Sequence, residues 1–289
     1  MISEVASNAA IGGVFGLLIG SFLNVVIHRL PRMMEQDWNA EGAQWVEEQV
    51  EKGAKIQLPP AAEPITLSKP RSRCPHCGHQ IAWYENIPVL SYLFLRGRCA
   101  ECKKPISLRY PVVELVCAAL FAFCLSRDGL TPTGFAWCGF SAVLLALALI
   151  DWDTTFLPDS MTLPLLWAGL IASALQWTAV PLSQSLWGAV AGYMSLWLIF
   201  WAFKLATGKE GMGYGDFKLF AALGAWFGWQ ALVPIILMAS VVGAIIGIAL
   251  KINSKLREGG YVPFGPFLAG GGFVALIWGP QAVLGWVGL

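Results

Sequence analysis

The sequence predicts an α-helical polytopic membrane protein of about eight transmembrane helices, on three observations. Of its 289 residues, 56% are hydrophobic and only 13% charged, about half the charged share of a soluble domain. Apolar runs approaching the roughly 20 residues that span a hydrocarbon core recur along the whole chain. Thirty-one glycines and fourteen tryptophans suit helix packing and interfacial anchoring in a bilayer. The net charge of +1 gives no reason to expect nucleic acid as a partner.

The first run lies in MISEVASNAAIGGVFGLLIGSFLNVVIHRL. It has no basic n-region and carries Glu4, so 8–28 reads as a transmembrane helix and not as a cleaved signal peptide. Residues 31–110 form the one long polar insertion. Its first part, 34–58, is acidic and helix-prone, with Trp45, Val46 and Val50 on one face. It reads as a solvated amphipathic helix lying on the module that follows or on the membrane surface. LPPAAEP then marks a linker. The remaining spans fall near 111–126, 134–150, 160–179, 186–205, 217–230, 232–250 and 264–287. The sixth is short, and with Pro234 near its boundary with the seventh, those two would make one span if they merged. The chain thus divides into a first transmembrane helix (1–30), a polar insertion (31–110) and a membrane-embedded core (111–289).

Charge placement orients these spans. Twelve of the nineteen Lys and Arg lie between Arg29 and Arg109. Lys204, Lys209, Lys218, Lys251, Lys255 and Arg257 fall in loops or helix ends that alternation puts on the same side. By the positive-inside rule that side is the cytoplasm, leaving only Arg127 outside and both termini external.

Within the insertion, Cys74 and Cys77 form one C-x-x-C pair and Cys99 and Cys102 another. Two such pairs let four thiolates close a tetrahedron around Zn²⁺, and four protein ligands leave no open position, so the expected site is structural. A cytoplasmic location supports metal over disulfides. His76 or His79 replacing one thiolate is the alternative ligand set. The fold class is therefore refined to a helical membrane protein with a cytoplasmic zinc-ribbon-like insertion, the module spanning about 70–108. Cys117, Cys124 and Cys138 lie in apolar spans and read as small buried hydrophobes.

Acids near membrane depth are costly and become candidates for function. Asp128, Glu210 and Glu258 sit among loop residues, and Glu114 lies in the first turns of a span, where an acid complements the helix dipole. Asp151 closes the run FSAVLLALALI, and Asp216 follows the glycines of GMGYGDFKLF. Alternation brings these two to one membrane face, although 65 residues separate them and nothing in the sequence fixes their lateral distance. If they meet, one proton is shared, the ionised carboxylate activates water and the protonated one polarises a scissile carbonyl. Gly213 and Gly215 would give a tight turn and close approach of a substrate backbone, with Lys218 anchoring the same lip to the interface. Asp159, after Pro158, reads as the N-cap of the fourth span, and Asp153 as a solvated neighbour of Asp151, with Asp153 in the catalytic place of Asp151 as the alternative.

GMGYGDFKLF together with IDWDTTFLPD resembles the type IV prepilin peptidases, bacterial members of the GxGD intramembrane aspartyl proteases. The resemblance covers nearly the whole chain, including GSFLNVVIHRLP, the two cysteine pairs and PFGPFLA at 263–269. The acidic stretch at 34–58 is its least family-like part, and the resemblance implies no role for it. The resemblance implies that Asp151 and Asp216 are the catalytic aspartates and that the four cysteines are the family's cytoplasmic tetrad. It also implies a multi-pass protein of the inner membrane, acting on type IV prepilins and type II secretion pseudopilins amid membrane lipid. Short basic leaders would be cut after a glycine at the cytoplasmic face. Methylation of the new N-terminus with S-adenosylmethionine is implied as well, though no glycine-rich βα fingerprint locates a methyl-donor site. Two other readings compete: a proton-coupled transporter relaying protons through Asp151 and Asp216, and a zinc-containing membrane scaffold of a secretion system.

Overall fold

The structure, a computed structural model, describes residues 2–51, 64–253 and 262–286. Most of the predicted linker, and the charges Lys255, Arg257 and Glu258, lie outside the described residues. The chain forms two compact units, Val14–Ala119 and Met1–Gly13 with Leu120–Leu289.

The first helix, α1 (Ile2–Glu51), is 50 residues long. The predicted end near residue 28 is therefore not observed. Pro31 removes the backbone bond to the carbonyl four residues earlier, yet good helix formers follow it and the helix continues. The separate amphipathic helix expected at 34–58 is, as far as Glu51, the continuation of α1.

In the unit Val14–Ala119, the cysteine module is followed by a 3₁₀ turn (Trp83–Asn86), the short helix α2 (Leu90–Phe94) and the start of α3 (Arg109–Asp128). Helices α1 and α3 meet at Gly20, where a Cβ would lie 2.7 Å from the Glu114 Cα and 3.1 Å from the Cys117 Cβ. Asn24 Nδ2 donates to the Tyr110 carbonyl at 3.1 Å. Arg29 donates to the carbonyls of Thr66 (2.8 Å) and Pro70 (2.6 Å), tying the chain that enters the module to α1.

The larger unit contains α4 (Pro132–Thr154), α5 (Asp159–Ala174), α6 (Leu182–Thr207), α7 (Tyr214–Phe227), α8 (Leu232–Ile252), α9 (Gly265–Trp278) and α10 (Pro280–Trp286). Each predicted span falls mainly in helix, and among the described residues five helices are long and apolar enough to cross a membrane. Helices α5, α7 and α9 have 16, 14 and 14 residues. At 1.5 Å per residue they reach about 21–24 Å of the roughly 30 Å hydrocarbon core. The sixth and seventh segments stay separate because Gly228 (φ 81°) breaks the helix before the 3₁₀ turn Trp229–Ala231. The eighth is split between α9 and α10 by Gly279 (φ 82°) and Pro280. Both glycines sit in the left-handed region that other residues rarely adopt.

Helix α7 is the core of this unit. From Phe217 to Phe227 every residue except Lys218 is buried, enclosed chiefly by α5, α6 and α9. Glycines allow this enclosure. A Cβ on Gly188 or Gly224 would run into the backbone carbonyl of the other, and one on Gly192 would lie 2.6 Å from the Phe220 carbonyl oxygen. Polar groups inside are satisfied across helices: Ser185 Oγ donates to the Ala225 carbonyl at 2.6 Å and Trp226 Nε1 to the Leu165 carbonyl at 2.9 Å. Such close backbone approach is how helices associate where apolar burial supplies no drive.

Candidate active site and candidate metal centre

Asp151 lies in the last turn of α4. It continues the stripe of Leu144, Leu147 and Ile150, all fully buried, and is itself 4% exposed. Asp153, two residues on, turns outward and is exposed. The helix ends where Thr155 adopts the left-handed conformation (φ 57°) and donates its N–H to the Asp151 carbonyl at 2.8 Å. From the PFGPFLA segment, the Gly265 N–H donates to Asp151 Oδ2 at 2.9 Å. A Cβ on Gly265 would lie 2.6 Å from that oxygen, so the hydrogen bond needs a glycine there.

Asp216 sits in the first turn of α7 and is also buried. The two carboxylates act on each other electrostatically, and Leu157 sits against both the start of α7 and the Gly265 segment that holds Asp151, so one neighbourhood contains both acids. Asp216 Oδ1 is buried without a hydrogen-bond partner among the described residues. The glycines around it serve in an unexpected way. Gly213 is extended (φ −81°, ψ 149°), a conformation open to any residue. Gly215 yields the space of its missing side chain to Leu157, whose Cβ would lie 2.7 Å from a Cβ at 215. Leu157 would also lie 3.2 Å from a Cβ on Gly265. One leucine thus locks together the α4–α5 turn, the start of α7 and the start of α9 beside the two acids.

Lys218 points away from the acids, its Nζ donating to Asp159 Oδ1 at 2.6 Å and Oδ2 at 2.7 Å. This corrects the reading of Asp159, because α5 begins after Pro158 with no side-chain cap and the carboxylate is committed to Lys218. The sequence carried no signal for that pair across 59 residues, nor for the roles of Leu157 and Gly265.

The four cysteines of the module are brought together. Their sulfurs all lie within 4.8 Å of one another, with Cys74–Cys102 at 3.8 Å and Cys77–Cys99 at 4.0 Å. A tetrahedron with metal–sulfur bonds of about 2.3 Å has edges of about 3.8 Å, so the donor set fits such an ion. The two knuckles repeat one design. The Cys74 N–H donates to the His79 carbonyl and the Gly78 N–H to the Cys74 carbonyl, while the Cys99 N–H donates to the Lys104 carbonyl and the Lys103 N–H to the Cys99 carbonyl. Gly78 (φ 75°) and Lys103 (φ 57°) take the same left-handed position. Backbone N–H groups of His76 and Cys77 lower the Cys74 thiol to about 6, whereas Cys77, despite the backbone hydrogen bond from His79, is pushed up to about 12 by burial and the neighbouring thiols, so without an ion the thiols share their protons unevenly. His79 is not part of the set. Its ring contacts Glu85 and Glu101, each at 3.0 Å, and Glu85 first among them raises its pKa. Cys117, Cys124 and Cys138 are buried, as expected.

Comparison with known proteins agrees with this arrangement. Residues 14–127 match the bacterial Peptidase A24 N-terminal domain, and residues 138–248 match the type IV leader peptidase family. A prepilin leader peptidase/N-methyltransferase of Stutzerimonas stutzeri is 51% identical over 93% of this chain and 90% of its own length. Proteins of the same name from Pseudomonas aeruginosa (50%) and Aeromonas hydrophila (51%) each align with 92% of this chain and 89% of their own. No solved structure matches. Two matched domains and half-identical relatives of nearly full length lead to one conclusion: the chain belongs to the type IV leader peptidase family.

Proposed function

We propose that this protein is a membrane aspartyl endopeptidase that removes the leader peptide from type IV prepilins and type II secretion pseudopilins, with Asp151 and Asp216 as its catalytic pair. The observation that carries the reading is the burial of two acids side by side, at the end of α4 and the start of α7. Burying two carboxylates together is costly and contributes nothing to folding that apolar residues would not do better. In the reaction the pair shares one proton. The ionised carboxylate takes a proton from the attacking water, and the protonated one hydrogen-bonds the scissile carbonyl oxygen. On collapse of the tetrahedral adduct, the proton taken from water passes to the leaving amine. Gly265 holds Asp151 in orientation, and the unpartnered Oδ1 of Asp216 is the natural seat for the shared proton or the water.

Both acids belong to helix ends, which favours peptide cleavage at the membrane face over a proton relay at mid-bilayer. With the insertion cytoplasmic, the acids and the cysteine module face the cytoplasm and both termini the periplasm. Cys74, Cys77, Cys99 and Cys102 would hold Zn²⁺, which would serve the fold alone, since four thiolates leave it no open position. The names of the relatives supply the second activity, methylation of the new N-terminus, with S-adenosylmethionine as donor. Among the described residues there is no strand and hence no strand–turn–helix loop of the kind that holds such a donor.

The test is cleavage of a purified prepilin by Asp151→Asn and Asp216→Asn variants, assayed alongside methyl transfer to a substrate already cleaved. Cleavage should fall by about 10³-fold or more while methylation persists. Unimpaired processing by Asp216→Asn would sink the reading.

A further inference from the structure

Helix α2 is built with its apolar face outward. Leu90, Leu93 and Phe94, at i, i+3 and i+4, share one face. All three are exposed, Phe94 to 84%. The opposite side is occupied within the module. Ser91 Oγ donates to the Ile87 carbonyl at 2.8 Å, and the Tyr92 ring covers Gly97 so closely that a Cβ there would lie 2.8 Å from the hydroxyl. The 3₁₀ turn that α2 packs against adds exposed Trp83 and Tyr84.

The depth of this apolar surface is fixed by a buried acid that the peptidase chemistry does not use. Glu114, 7% exposed, lies in the second turn of α3, about 7.5 Å along the axis from its start. Its Oε2 accepts the N–H of Val89, the residue immediately before α2, at 2.7 Å. Val89 is held at φ 58°, ψ −46°, with the Leu90 N–H returning to the Pro88 carbonyl at 2.5 Å. That is a positive-φ γ-turn, a conformation strained for a β-branched residue and kept only where surroundings impose it. The Glu114 backbone in turn touches α1 at Gly20. Helix α2 is therefore strapped to the α1–α3 pair at the level of the first turns of the α3 span. Exposed Arg96 and Arg98 follow directly, a basic collar beside an apolar face.

We propose that α2 and the turn before it form a membrane-docking lobe. Leu90, Leu93 and Phe94 seat at the headgroup–acyl boundary of a leaflet containing anionic lipid, and Arg96 and Arg98 meet its headgroups. The lobe would hold the cysteine module down on the bilayer. This rests on the membrane reading of the chain and is independent of which residues cut the substrate.

The experiment places a photoreactive amino acid at position 94, or at exposed position 80 as a control, in the full chain within nanodiscs of phosphatidylcholine and phosphatidylglycerol. After irradiation, mass spectrometry should find about tenfold more phospholipid adduct at 94 than at 80. Equal yields at the two positions, or crosslinks from 94 only to a second copy of the chain or to an added prepilin, would overturn the proposal. A Leu93→Asp, Phe94→Asp double variant should raise hydrogen exchange across residues 83–94 in nanodiscs and leave it unchanged in detergent. Unchanged exchange in both media would also count against the lobe.

Discussion

Replacing Gly265 with alanine tests whether the Asp151 carboxylate must stay where the Gly265 N–H holds it. The added Cβ would lie 2.6 Å from Asp151 Oδ2 and 3.1 Å from its Cγ, where ordinary contact begins at 3.4 Å. The carboxylate must retreat by about 0.8 Å, because Leu157 closes the other side at 3.2 Å. A displacement of about 1 Å in a catalytic group costs about 10²-fold in rate, equivalent to about 2.7 kcal/mol of barrier. Gly265→Ala should therefore lower kcat/KM for prepilin cleavage about 100-fold, read by band shift of a purified substrate in nanodiscs. Gly270→Ala, on the same helix with nothing within 4 Å of its Cβ, is the control and should cleave like the parent. If Gly265→Ala cleaves within about threefold of Gly270→Ala, the positioning argument for Asp151 fails.

Other expectations follow from the same geometry. Lys218 and Asp159 are both partly exposed, so their ion pair is worth about 0.2–1 kcal/mol and Lys218→Ala should slow cleavage only severalfold. A loss as deep as that of Asp216→Asn would place Lys218 in the chemistry itself. Cys99→Ser should abolish stoichiometric zinc by elemental analysis and expose the module to limited proteolysis, since a structural zinc contributes its binding energy to folding; retained zinc would argue against the four-thiolate site. Gly188→Ala forces a methyl into the Gly224 carbonyl and should destabilise the α6–α7 contact by about 1–3 kcal/mol, seen as a lower midpoint of thermal inactivation. Gly139→Ala, which meets nothing, should leave that midpoint in place.

The sequence was most legible where chemistry is local. Hydropathy located the long apolar helices, because the span of a bilayer is written as a length of apolar chain. The C-x-x-C spacing located the cluster of four thiols that could hold a metal, because each knuckle is a self-contained turn in which the cysteine backbone caps its own loop. The choice of Asp151 over Asp153 was also latent in the sequence. Only the former continues the apolar stripe of α4, and a residue two positions on faces away from it. Glycine positions misled for a physical reason: the sequence shows where a Cβ is missing but not what takes its place. Beside Asp216 that occupant is Leu157, and in α6 and α7 it is a neighbouring backbone.

The sequence alone settled composition, the places of the apolar segments and the motifs, since these depend on residues within a turn or two of each other. Tertiary structure decided the rest. It gave Asp159 to Lys218 and Leu157 to the space beside Gly215. It also set Asp151 beside Asp216 with Gly265 as holder. Each outcome depends on which side chains from distant helices compete for the same few ångströms, and a linear pattern holds no record of that competition.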